Sequence, residues 1–301
     1  MNRQSPVSNN TPRQWLVRLA DYWTLTKPEV NFLVLVSTLV GFYLALRGPV
    51  DFWRLLHTLL GTLLVASGTG TLNQFIERRS DRDMRRTANR PLPAGRLAPA
   101  GAFCFGILLA ALGGWELWVF TNPLTSELAL LTLGSYLLFY TPLKKRTPLC
   151  TLVGAFPGAM PPLIGWAAVR NSLGLEAWAL YIILFLWQFP HLLAIAWMYR
   201  EDYARAGLQM LPRNDREGRA TVRQILGYSL VLIPASLLPV FLGQVGKAYL
   251  VGALVLGFGF FHYGMRLAVH RSNSFARRLV LASVVYLPLV FALMMVDKTR
   301  F

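Results

Sequence analysis

The sequence predicts an all-α polytopic membrane protein, a bundle of about nine transmembrane helices with a polar cavity that faces the cytoplasm. Its composition, its apolar segments and the alternating placement of its basic residues support this fold class. Of 301 residues, 54% are hydrophobic and 15% are charged, and the mean hydropathy is +0.44. This composition argues against a soluble domain.

Nine apolar segments predict the spans, since a helix needs about 17 to 25 residues to cross the hydrocarbon core. The predicted spans lie near 30–46, 55–76, 101–120, 127–140, 151–169, 177–197, 224–242, 248–263 and 279–296. Residues 1–26 are polar and lack the apolar region of a signal peptide, so we expect a cytoplasmic tail. Residues 27–301 then form a single transmembrane domain.

Basic residues gather on alternate connections. The N-terminal tail and every second loop carry 24 of the 30 Lys and Arg residues. The other six are Arg47, Arg54, Arg170, Lys247, Lys298 and Arg300. By the positive-inside rule the N-terminus is cytoplasmic and the C-terminus lies on the other side. The net charge of +16 is thus explained by basic loops on one side of a membrane that contact its lipid. We therefore expect no nucleic-acid partner.

Four polar side chains lie where the second apolar segment runs out, the first of them still inside it. Asn73, Glu77 and Asp81 are spaced four residues apart and share one helix face, with Asp83 about half a turn round. Oxygen ligands of this kind suit Mg²⁺ bound together with a phosphorylated ligand. Carboxylates at a membrane boundary are costly to desolvate and usually mark a site. The pattern predicts a magnesium and diphosphate site.

The alternative is a solvated loop on which these carboxylates pair with neighbouring arginines, because charge runs usually form solvated faces. Those arginines are Arg78, Arg79, Arg82, Arg85 and Arg86. Asn73 favours the site, since it lies inside the apolar segment and keeps helical spacing with the carboxylates.

Two basic clusters lie close to the acidic residues in the pattern of spans. Arg86 and Arg90 belong to a turn made rigid by Pro91 and Pro93. Tyr140 is followed by Lys144, Lys145 and Arg146 at the cytoplasmic end of the fourth span. These cations would stabilise a departing diphosphate. The alternative for the lysine cluster is binding of lipid headgroups.

A second polar segment lies in and after the sixth span. Trp187 and His191 flank Pro190 inside the apolar run, and a proline in a membrane helix is tolerated where it lines a cavity. His191 either packs through hydrogen bonds or faces a flat macrocycle such as a porphyrin. Glu201 and Asp202 follow at the cytoplasmic end.

With these motifs the chain resembles the UbiA superfamily of intramembrane polyprenyl transferases over nearly its whole length, and within it the branch that modifies haem. The resemblance rests on Thr26 to Pro28, Asn73 to Asp83, Arg86, Thr87, Arg90 to Pro93, Tyr140, Lys144 to Arg146, Trp187 to His191, Asp202 to Gly207, Met210 to Pro212, Ser283, Tyr286 and Leu287. Two departures from the general pattern stand out. Only Glu201 and Asp202 are acidic in the second motif, and Glu77 stands where an aspartate is common.

The resemblance implies transfer of a farnesyl group from farnesyl diphosphate to the vinyl group of haem B. The product would be haem O, used by haem–copper terminal oxidases, so haem A synthase and oxidase-assembly proteins are candidate partners. It also implies a bacterial inner-membrane location.

The resemblance assigns a role to each site residue. It implies catalytic roles for Asn73, Glu77, Asp81, Asp83, Tyr140, Lys144 and Asp202; Mg²⁺ ligation by Asn73, Glu77, Asp81 and Asp202; diphosphate binding by Arg86, Arg90, Lys144, Lys145 and Arg146; and haem binding by His191 and Trp187. Three rival functions stay open: prenyl transfer to an aromatic quinone precursor, transport of an organic anion and non-catalytic haem carriage.

Overall fold

A computed structural model describes residues 12–212, 215 and 217–299, and every regular element in that part of the chain is helical apart from one isolated bridge between Val245 and Lys298. The helices are α1 (Pro12–Leu25), α2 (Pro28–Ala45), α3 (Phe52–Arg82), α4 (Pro99–Phe120), α5 (Pro123–Ser135), a π turn (Tyr136–Tyr140), α6 (Thr141–Leu143), α7 (Cys150–Gly158), α8 (Pro161–Arg170), α9 (Leu175–Met198), α10 (Arg200–Arg205), α11 (Arg219–Ala235), α12 (Leu238–Phe241), α13 (Lys247–His270) and α14 (Asn273–Val296). The predicted all-α membrane fold is confirmed.

Eight helical segments of the described chain are long and apolar enough to cross a membrane. Two of them join neighbouring helices, α7 with α8 and α11 with α12. The fourth predicted span is also helical from α5 through the π turn to α6, but the turn divides it into shorter pieces. Together these segments account for the nine predicted spans.

Successive spans run in opposite directions, so the ends of α3, α6 and α9 lie on one face of the bundle with the start of α2. We call this the acidic face, because it carries residues 73–83. α9 lies centrally and packs against α7, α8, α11 and α14. The polar cavity expected at the acidic face stays a prediction.

Small residues bring the helices into close contact. A Cβ atom on Gly165 of α8 would overlap the Thr38 carbonyl oxygen of α2, and one on Gly41 would overlap the Pro162 carbonyl oxygen. The two backbones therefore touch, which is typical of helix packing in membranes.

α1 is an amphipathic helix within the segment predicted as a tail. Trp15, Leu19 and Trp23 are exposed on it, whereas Asp21 is buried and pairs with Arg96 at 2.9 Å. An apolar groove of about 910 Å³ runs between α1 and α4. Along the sequence the apolar residues of this face are interrupted by charged ones from the other face. The average hydropathy of the segment is therefore low, and a hydropathy scan does not detect the helix.

Candidate active site

The acidic side chains gather where α3 reaches the acidic face. Asn73 and Asp81 are each 1% exposed, and the Glu77 side chain is 12% exposed. The helical spacing places all three on the face that packs inward. This burial contradicts the alternative of a solvated loop for these three residues.

Lys144 is the partner of Glu77. Its Nζ donates to Glu77 Oε1 at 2.8 Å and lies 4.4 Å from the centre of the Tyr140 ring. Burial alone would lower the pKa of Lys144, but Tyr140 and the Glu77 carboxylate raise that pKa well above its ordinary value. The ammonium group therefore stays charged beside the carboxylate.

Arg90 is the partner of Asp81. Its guanidinium donates to Asp81 Oδ2 at 2.9 Å, and the Thr87 hydroxyl donates to the Asp81 backbone carbonyl oxygen at 2.9 Å. The second carboxylate oxygen, Oδ1, is buried and has no hydrogen-bond partner among the described residues. A buried carboxylate oxygen usually has a partner, so this one is available to a ligand.

Lys27 joins the cluster from the start of α2. Its Nζ donates to Asn73 Oδ1 at 2.8 Å. Its backbone is left-handed, with φ of 54°, directly before Pro28. Such strain persists where the surrounding structure holds it and is common at functional sites. Burial, and then the charges of Arg90 and Lys144, lower the pKa of Lys27 to about 7.

The π turn supplies the opposite wall of the cluster. Asn73 Nδ2 donates to the Thr141 hydroxyl at 3.2 Å, and that hydroxyl donates to the Tyr136 carbonyl oxygen at 2.9 Å. Pro142 follows directly and has no N–H to continue a regular helix. The wider turn brings Tyr136 edge to face with Tyr140, with ring centres 4.9 Å apart. π turns inside helices are frequent at functional sites.

An arginine in the turn after α3 connects α10 to this region. The Arg86 guanidinium lies 4.5 Å from the centre of the Tyr199 ring and donates to the Tyr203 hydroxyl at 3.3 Å. Asp202, between these tyrosines, forms an ion pair with Arg205. The structure thus brings α10 close to the turn after α3, while the Asp202 carboxylate is bound within its own helix.

Three predicted site residues lie further out. Lys145 and Arg146 are exposed, and so is Asp83, which caps the C-terminal end of α3. None of their side chains bonds to the buried cluster within the described part of the chain. Their roles remain predictions.

The residues expected to hold Mg²⁺ are engaged with cations. Across 12–212, 215 and 217–299, no three His, Cys, Asp or Glu side chains are gathered as metal ligands. The donor set still fits the ion: Asp81 Oδ1 is buried without a partner, and oxygen atoms of Asn73 and Glu77 lie on the same face. Cations that now neutralise the carboxylates would turn to the ligand's own negative charge.

His191 lies on α9 and bonds to α14. Its Nδ1 is 2.6 Å from the Ser283 hydroxyl, which donates its single proton to the Val280 carbonyl oxygen at 2.6 Å. Ser283 therefore accepts from His191 Nδ1–H, which leaves a lone pair on Nε2. Trp187 stacks on the imidazole at 5.0 Å between ring centres and donates from Nε1 to the Ser283 carbonyl oxygen at 2.9 Å.

Sequence reasoning did not place Lys27, Thr141 or Tyr136 in the cluster. Lys27 carried one signal, a lysine directly before Pro28 at the start of the first span. Thr141 and Tyr136 carried none, since their contacts depend on the π turn. The contacts with Asn73 come from residues 46 and 68 positions away, which no local pattern reveals.

Comparison with known proteins gives consistent results over most of the chain. The model of the UbiA prenyltransferase family matches residues 34–294. Relatives include the protoheme IX farnesyltransferase of Solibacter usitatus, 50% identical over 93% of this chain and 99% of the relative. That of Koribacter versatilis is 47% identical over 93% and 94%.

Solved structures agree in fold. A digeranylgeranylglyceryl phosphate synthase superposes with a TM-score of 0.76 at 17% identity, covering 93% of this chain and 98% of that one. A UbiA homologue from Archaeoglobus fulgidus bound to GPP and Mg²⁺ gives a TM-score of 0.65 at 17% identity, covering 91% and 99%. By its family match and its relatives, the chain belongs to the UbiA prenyltransferase family.

Proposed function

We propose that this protein transfers the farnesyl group of farnesyl diphosphate to the vinyl group of haem B and so makes haem O for haem–copper oxidases. The observation that carries the haem acceptor is the 50% identity to a protoheme IX farnesyltransferase over almost the whole of both chains. The buried cluster of carboxylates and cations at the end of α3 supports a diphosphate donor.

The diphosphate binds at the acidic face. Arg86 and Arg90 reach it from the turn after α3 and Lys144 from the end of α6, and the exposed Lys145 and Arg146 extend the positive charge outward. Mg²⁺ would be held by Asn73, Glu77, Asp81 and Asp202, and it would neutralise charge that develops on the leaving diphosphate. When the ligand binds, Lys144 and Arg90 exchange a carboxylate partner for a phosphate oxygen.

The reaction is a substitution followed by hydration. The bond between farnesyl C1 and the ester oxygen breaks, and the electron pair leaves with the diphosphate. The terminal vinyl carbon of haem then bonds to C1, and water adds to the adjacent carbon with loss of a proton, which gives the hydroxyl of the product. Tyr136 and Tyr140 shield the allylic cation from early attack by water.

The acceptor side of the site is built by α9 and α14. His191 offers Nε2 as a lone-pair donor, and Trp187 offers a flat ring beside it. Both properties suit a haem, whose iron takes imidazole and whose face takes aromatic packing. Ala196, further along α9, packs in the same cluster as Tyr140, so the acceptor helix also borders the diphosphate cluster.

We further propose that the protein lies in the bacterial inner membrane with its N-terminus and acidic face in the cytoplasm. The excess of 24 basic residues over six on alternate connections supports this orientation. We expect activity from a reporter that works only outside the cytoplasm when it is fused after Phe301. Cytoplasmic activity would contradict the orientation. Haem A synthase and oxidase-assembly proteins remain predicted partners.

The test of the function is incubation of the purified protein with haem B, farnesyl diphosphate and Mg²⁺, followed by mass analysis of the pigment. We expect haem to gain one farnesyl group and one hydroxyl group. A parallel reaction with an aromatic quinone precursor in place of haem is the control for the rival acceptor. Prenylation of the precursor alone would contradict the haem assignment while leaving prenyl transfer intact.

A further inference from the structure

A second charged site lies on the face opposite the acidic cluster. A cavity of about 740 Å³ opens there between the end of α2, the loop between α8 and α9, and the C-terminal segment. We call it the arginine cavity. Its lining includes Arg47, Arg170, Lys298, Trp166, Gln244 and Glu176. Three of the six basic residues assigned to this face thus meet at one place.

The positive charge in the arginine cavity exceeds the negative charge of its lining, which has one carboxylate against three cations. Neither Arg47 nor Arg170 forms an ion pair within the described part of the chain, although both line the same cavity. Glu176 is the carboxylate of the lining, and its oxygen lies against Gly174 at the N-terminal turn of α9. There it complements the helix dipole, and it attracts Arg170 from beyond the distance of an ion pair.

Lys298 joins the cavity with a partly structural role. Its Nζ donates at 2.7 Å to the carbonyl oxygens of Tyr43 and Leu46, which end α2. Burial, and next the positive charge of Arg170 in the same cavity, lower the pKa of Lys298. Holding several cations in one cavity costs electrostatic free energy, and an anionic ligand bound among them would offset that cost.

Two neutral side chains of the lining also have unmet hydrogen bonds. Trp166 and Gln244 are each 5% exposed, and neither Trp166 Nε1 nor Gln244 Oε1 has a partner among residues 12–212, 215 and 217–299. Buried polar atoms of this kind usually bond to protein, water or ligand. The indole N–H can donate only, so it matches an acceptor-rich ligand.

We propose that the arginine cavity binds the phosphate group of an anionic phospholipid from the leaflet at that face. A guanidinium fork binds phosphate oxygens in two-point fashion, and phosphate is the anionic group that phospholipid headgroups share. Met295 and Val296 border the cavity, and Val296 is 86% exposed toward the surroundings of the bundle, so an acyl chain can lie beside it. A phosphate free in solution offers the same chemistry without the chain.

The test measures thermal unfolding of delipidated protein in detergent with phosphatidylglycerol, phosphatidylcholine or inorganic phosphate. We expect phosphatidylglycerol to raise the Tm more than phosphatidylcholine. The double variant Arg47→Gln, Arg170→Gln should weaken the apparent affinity at least about tenfold, the value of a lost charge-assisted hydrogen bond. An inorganic phosphate effect that also needs both arginines would support a phosphate site that does not require the lipid chain.

Arg54→Gln is the matched control, because Arg54 lies on the same face but pairs with Asp51 outside the cavity. It should respond to phosphatidylglycerol like the unmodified protein. Gel filtration, together with stabilisation by farnesyl diphosphate at the other face, verifies that the double variant is folded. If that variant does not fold, Arg170→Lys replaces it, since lysine keeps the charge but loses the fork. Unchanged affinity in a folded arginine variant would overturn the proposal.

Discussion

At the acidic face the buried carboxylates of α3 are each bonded to a cation, whereas at the opposite face two arginines share a cavity and neither forms an ion pair within the described part of the chain. In the first region, Lys144 and Arg90 hold Glu77 and Asp81 in place, and a ligand must exchange partners to enter. In the second region the excess positive charge favours binding of an anion. Charges held in place by partners are positioned before a ligand arrives, whereas an excess of charge of one sign favours binding of the opposite charge.

Removal of divalent metal should give the largest difference between the two regions. We expect EDTA to abolish prenyl transfer and added Mg²⁺ to restore it, because carboxylates that hold a diphosphate need a bridging cation. Product formation by mass is the measurement. The arginine cavity uses no carboxylate ligands, so its response to phosphatidylglycerol should survive EDTA. Full transfer activity in metal-free buffer would remove the magnesium assignment.

Asp81→Asn should lower kcat/KM for farnesyl diphosphate roughly a hundredfold or more, since it removes the charge next to an unpartnered buried oxygen. Haem binding should be largely unchanged. Asp83→Asn is the matched variant, two residues further on and exposed, and we expect a smaller loss from it. Steady-state kinetics and haem titration check both. Equal losses in the two variants would contradict the central position of Asp81.

The pair of Glu77 and Lys144 separates stability from chemistry. Lys144→Gln leaves a buried carboxylate unpaired, which costs about 3–5 kcal/mol of folding free energy in comparable pairs, so both Tm and activity should fall. The double variant Glu77→Gln, Lys144→Gln should recover much of the Tm and little of the activity.

Thermal unfolding and initial rates measure the two effects in that pair. Recovery of activity along with Tm in the double variant would show that the pair serves stability alone. Lys144→Arg keeps the charge and should retain more activity than Lys144→Gln.

His191→Ala should have the smallest effect on the chemical step. We expect a KM for haem several times higher and a nearly unchanged KM for farnesyl diphosphate, because the imidazole is assigned to the acceptor. His262→Ala, an exposed histidine on α13, is the control. Kinetics at limiting haem and the haem spectrum of the purified variant are the measurements. An unchanged haem affinity and spectrum would exclude His191 from the acceptor site.

The sequence predicted the positions of the spans well. It did not predict the π turn inside the fourth span, and the reason is physical. The apolar pattern indicated 127–140, and the helical segment runs from Pro123 through Leu143 with a π turn inside. Hydropathy measures how apolar a segment is, whereas the turn depends on Thr141 and Pro142 together with the packing around them. α1 was missed because its apolar face is diluted by charges in any linear average.

The sequence by itself determined the helical register that sets Asn73, Glu77 and Asp81 on one side of α3, since this depends only on the period of a helix. It also determined which connections carry the basic residues. Tertiary structure alone decided which cation meets each carboxylate and which hydroxyl fixes the His191 tautomer. Lys144 lies 67 positions from Glu77, and Ser283 lies 92 positions from His191. Such pairs form only when separate helices pack, and their geometry follows from that packing rather than from any local pattern.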